Sequence, residues 1–142
     1  MRTRLVPYFS FLVAATIAAA ACGPKKASGA GAVDVTAIDL GRSVTPDLKI
    51  DDKTDTFRPM DVVYISVETK GTGPATLATR WTNKDNQVVN ETSRTISPPA
   101  NADQPARTEF HISQPAGLPP GKYHVVVMLN GTKAGEKDFE VK

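Results

Sequence analysis

His111, His124 and Cys22 are the residues of this 142-residue chain best suited to ligate a metal, move a proton or act as a nucleophile. A zinc or copper centre asks for three or four convergent ligands. A hydrolytic site asks for a nucleophile, a base and an orienting group within hydrogen-bond reach. The local pattern argues against both. In RTEFHIS (107–113), Thr108, Phe110 and Ile112 share one face of an extended segment and His111 takes the other. In KYHVVVML (122–129), His124 opposes Tyr123 and Val125, so both imidazoles are expected to face solvent. Asp51, Asp52 and Asp55 of DDKTD lack the glycine and distal glutamate of a calcium loop and read as a solvated connection. The glycines of KGTGPA (70–75) do not join a strand to a helix, so a phosphate cradle is set aside in favour of a hairpin connection. Asn90-Glu91-Thr92 and Asn130-Gly131-Thr132 fit the glycosylation acceptor pattern, but glycosylation is not expected, and Asn130 is already needed by a turn. No catalytic residue, metal site or cofactor is expected.

The cysteine has a different explanation, which lies in what precedes it. Arg2 and Arg4 open the chain, and residues 5–21 carry no charge and end in alanines, as a targeting leader does. A membrane-spanning helix wants about 20 unbroken apolar residues, whereas this run is shorter and holds Pro7 and Ser10. A lone cysteine also rules out an internal disulfide. At AAAAC (18–22) the sequence resembles a bacterial lipoprotein signal, in which small residues precede a cysteine that becomes the lipidated amino terminus. Ala19 stands where that family usually has leucine. The resemblance implies a thioether-linked diacylglyceryl group on Cys22, with acyl chains contributing about 0.8 kcal/mol per buried methylene. It further implies attachment to a bacterial cell-envelope membrane. Gly23 replaces the aspartate associated with inner-membrane retention, which favours the outer membrane. GPKKASGAGA (23–32) is then a flexible tether spanning roughly 15–20 Å, and Lys25 and Lys26 are placed to meet anionic head groups or water. Residues 1–21 are thus expected to be signal, 22–32 anchor and linker, and 33–142 the folded domain.

Charge excludes one class of partner. Without Arg2 and Arg4 the chain holds 15 basic and 15 acidic residues, so the body offers no cationic footprint for nucleic acid. From Val33 the texture is one of short alternating segments. VDVTAIDL (33–40) sets Val33, Val35 and Ala37 against Asp34, Thr36 and Ile38. DVVYISVETK (61–70) sets Val63, Ile65 and Val67 against Tyr64, Ser66 and Glu68, a half-buried strand. ATLATRWT (75–82), a polar turn at 83–86, QVVNETSRTI (87–96), the Pro-rich connection 97–106 and RTEFHIS follow. The final pair, KYHVVVML and TKAGEKDFEV, is joined by Asn130-Gly131, the residues a two-residue type I′ hairpin turn demands. About seven strands without helical periodicity predict an all-β fold of two packed antiparallel sheets.

Two stretches narrow the architecture. GLPPGKYHVVV (117–127) resembles the tyrosine corner of immunoglobulin-like and fibronectin-type-III-like domains, and LATRW (77–81) resembles their core-tryptophan strand. The likeness implies that Tyr123 is buried with its hydroxyl bonded to backbone, that Leu118 plugs the core, and that Leu77 and Trp81 face inward. It also puts His111 and His124 on opposite outer faces. The paired cysteines of antibody domains are absent, so the disulfide-free branches apply. Such a fold specifies a scaffold, not an activity. With Tyr123 and Val125 inward, His124, Val126 and Met128 share an outer face, and Tyr64 stands on the other. These four are the candidate partner surface, unless a neighbouring strand covers Val126 and Met128. The role expected is a lipid-anchored binding or structural module that contacts an envelope protein. Glycan or peptidoglycan recognition through exposed aromatics is the second reading, and an enzyme accessory domain the third.

Overall fold

In a computed structural model, the structure describes residues 32–99 and 104–142, and these form strands and connections without a helix. The strands are β1 Asp34–Gly41, β2 Thr56–Phe57, β3 Val63–Lys70, β4 Ala75–Asn83, β5 Val88–Ile96, β6 Ala106–Ile112, β7 Gly121–Leu129 and β8 Thr132–Val141. One sheet runs β1-β3-β6 and the other β2-β8-β7-β4-β5. The alternation of Val63, Ile65 and Val67 on β3 meets that of Leu77, Thr79 and Trp81 on β4 and of Tyr123, Val125 and Val127 on β7, and all are buried. Two apolar faces closed on each other remove this surface from water, at roughly 25 cal/mol per Å².

Asn130 and Gly131 take φ of 50° and 80°, and they close the β7–β8 hairpin from Leu129 to Thr132. The Asn130 side chain adds a tie of its own, its Oδ1 accepting the Thr76 amide at 2.9 Å. The 70–75 connection is not a hairpin: β3 and β4 belong to different sheets, so it arches from one layer to the other. Its turn is tight because Gly71, at φ 118°, brings the chain against the Ala32 backbone.

Three further differences from the sequence reading have local causes. Register slips between Val35 and Ala37 on β1, and this bulge turns Ile38 inward beside Val35 and Leu40 while Ala37 faces out. Ile38 thereby reaches Gly135 of β8, where a side chain would collide with it. The eighth strand, β2, is two residues long and pairs parallel with Glu140 and Val141. Between β1 and β2 the chain makes an excursion, residues 42–55, bridged at Val44–Ile50 and Gly41–Lys53. This excursion lies across the outer face of the three-stranded sheet, where Ser66 Oγ donates to the Leu48 carbonyl at 2.5 Å. Gly41 has no Cβ because Ile50 and the Asp52 carbonyl occupy that space. Leu48, at φ 59°, carries backbone strain that its turn holds in place, the Leu48 amide donating to Thr45 O at 2.9 Å.

Connections alternate between two poles. The 71–74 link, the end of β5, the start of β6, the Asn130-Gly131 turn and the start of β1 lie at one; the 58–62, 83–87 and 113–120 links and Lys142 lie at the other.

Candidate functional site

Trp81 is fully buried on β4, and its Nε1 donates to Thr79 Oγ1 at 3.1 Å, two residues back on the same inward face. Tyr123 is buried on β7 and its hydroxyl donates to the Pro119 carbonyl at 2.6 Å. Burial raises its pKa above the ordinary phenol value. Leu118 is buried, and its amide donates to Pro59 O at 2.7 Å. Phe139 organises these aromatics: it stacks on Tyr123 at 5.1 Å and meets Trp81 and Phe57 edge-on at 5.9 and 5.5 Å. Neither Phe139 nor Phe57 is among the core residues expected from sequence, although Phe139 and Val141 do alternate in KDFEV. Arg42 lies over Phe57, donates to Asp61 at 3.0 Å and to the Thr56 carbonyl at 2.6 Å, and pairs with Asp52 at 3.4 Å. Asp61 also caps the Arg58 amide at 2.9 Å, and this bond, with Arg42, holds its carboxyl below the ordinary range.

The two histidines lie in different sheets. His111 on β6 is exposed, with Nδ1 2.5 Å from Glu109 and its ring 5.4 Å from that of Tyr64. Tyr64 is therefore half-buried against a neighbour rather than a free platform. Arg107 and Glu68 pair on the same face, and Thr36 donates to Glu68 at 2.9 Å. His124 on β7 is half-buried, its ring nitrogens 2.9 Å from Glu136 and 2.6 Å from Asp138 on β8. Lys133 reaches Glu136 at 2.6 Å and is the main cause of that carboxyl's lowered pKa. Val126 and Met128 continue the His124 row, flanked in register by Arg80 and Ala78 on β4 and by Glu136 and Lys133 on β8. Both are half-buried, and no strand of the described residues crosses them. Their register neighbours include the long charged side chains of Arg80, Glu136 and Lys133.

Asp51, Asp52 and Asp55 are exposed along the excursion. Among the described residues no group of three or more His, Cys, Asp or Glu is placed to hold a metal. Among the described residues, shallow surface hollows of about 250 to 470 Å³ open between strand edges and loops. Cys22, Lys25 and Lys26 lie outside the described residues.

No family model matches the chain, and no curated protein sequence matches it. Among solved structures it is similar to an immunoglobulin-like protein from Pseudomonas aeruginosa, at TM-score 0.52 and 17% identity over 80% of this chain and 100% of that one. It is also similar, at TM-score 0.49 and 20% identity, to part of a Pseudomonas fluorescens alkylpurine DNA glycosylase bound to DNA containing an abasic-site analogue. The chain covers 80% of its own length in that match and spans 31% of the glycosylase. The fold is thus an immunoglobulin-like β-sandwich of eight strands.

Proposed function

We propose that this protein is a lipid-anchored immunoglobulin-like module of the bacterial cell envelope, held to a membrane through Cys22 and serving to bind or brace another envelope protein. The observation that carries the reading is the position of the strand that the tether would feed. β1 is an edge strand that starts at one pole, and the opposite pole lies away from the attachment. A domain whose core is filled by its own side chains interacts through its surface, and polypeptide is the ligand that strand edges and polar faces suit. Gly23, standing where an inner-membrane retention aspartate would be, favours the outer membrane over the inner. Glycan recognition is less favoured, since Trp81 and Tyr123 are buried and Tyr64 is half-covered. The test is metabolic labelling with palmitate. Wild-type chain should incorporate label and partition with membranes, and Cys22→Ser should lose both and retain its uncleaved leader on a gel. Unlabelled wild-type protein overturns the anchor.

A further inference from the structure

The five-stranded sheet ends on one side at β2, and β2 covers only the last part of β8. Glu140 and Lys142 donate their amides to Asp55 O and Phe57 O at 2.8 and 2.9 Å, so the even-numbered residues of this stretch turn their backbone groups toward that edge. Strand alternation sends the amides and carbonyls of Glu136 and Asp138 the same way. There, among the described residues, no strand receives them, because the 42–55 excursion carries the chain over the other sheet before it returns as β2. Two hollows line the vacant stretch. One, about 470 Å³, is bounded by Asp39, Leu40, Lys53 and Lys137; the other, about 250 Å³, by Val35, Ile38, Gly135 and Lys137. They share Lys137, an exposed residue on the inward-facing row of β8 that makes no ion pair among the described residues. Its near neighbour Lys53 is already taken by Asp39 at 2.8 Å.

We propose that the open edge of β8 from Gly135 to Asp138, which begins just past the bulge at Ala134, is a strand-addition site. Its occupant is an extended segment of a partner protein, running parallel to β8 in line with β2. Apolar side chains of that segment turn toward Ile38 and Val35, and an acidic side chain faces Lys137. Main-chain bonds supply the affinity, while the slot and the free ammonium supply the selection. This rests on the reading of the domain as a protein-binding module and deepens it.

The probe is a capped seven-residue peptide, threonine-valine-threonine-glutamate-threonine-valine-threonine, added to the full chain and followed by amide hydrogen exchange. At about ten times its Kd it should slow exchange at Glu136 and Asp138 about tenfold. The same peptide with lysine for glutamate should protect far less, and Lys137→Glu should invert the preference. Unchanged exchange with millimolar peptide, protection spread evenly over the domain, or equal protection by both peptides overturns the proposal. So does protection that grows with protein concentration alone, which assigns the edge to a second copy of the chain. Loss of palmitate labelling would remove the anchor and leave these amides protected by peptide, so the two failures are separable.

Discussion

Trp81 has the greatest stake in a single neighbour. Its indole N–H is buried and has Thr79 Oγ1 as its acceptor at 3.1 Å. Thr79→Val keeps the shape and removes the acceptor, leaving a buried donor unmet at a cost of about 1–3 kcal/mol. The expected result is a lower urea midpoint with an unchanged slope, and a midpoint equal to wild type would show that the bond contributes nothing. The sequence made Trp81 and Tyr123 legible because each stands in a recognisable neighbourhood: LATRW for one, a Leu-Pro-Pro-Gly approach for the other. Thr79 was not read, because threonine on a strand faces either way and only the partner two residues on assigns its hydroxyl. Phe139 was missed for a different reason. It alternates with Val141, but it sits among Lys137, Asp138 and Glu140, and so short an apolar row in charged surroundings gives a weak signal for an inward-facing ring.

At the scale of elements, the long strands were legible from period-two alternation, and the hairpin turn from Asn130-Gly131. β2 was not, since two residues carry no period and become a strand only where Glu140 and Val141 offer a ladder. The β1 bulge was equally hidden: inserting one residue resets which side chains face inward without changing composition. In the excursion over the three-stranded sheet, the sequence offers only solvated acids to view, although Arg42 and Asp61 hold its base. Asp61 has a folded pKa below its ordinary value of 3.8. A carboxylate so lowered contributes stability that is complete above that ordinary value and is lost as pH falls through the folded one. Wild-type stability should therefore decline on acidification below about pH 4, and Asp61→Asn should be less stable at neutral pH with a flatter acid limb. Parallel acid limbs for the two proteins would remove Asp61 from the account.

For the whole molecule, the question is which faces are free. His124, Val126 and Met128 share a face with Arg80, Lys133, Glu136 and Asp138, and Val126 and Met128 are half-buried there. Replacing Val126 by Thr and Met128 by Gln should cost about 1 kcal/mol in stability and leave partner cross-linking in intact cells unchanged. Unchanged stability with lost cross-links would make this row the docking surface. The two poles have a mechanical consequence. The first strand starts at one pole, the last strand ends at the other, and the two run the same way, so a pull between Asp34 and Val141 acts along the strand axes, across hydrogen bonds that lie perpendicular to it. Those ladders are loaded together in shear instead of being unzipped one bond at a time, a geometry suited to a part that stays folded under tension.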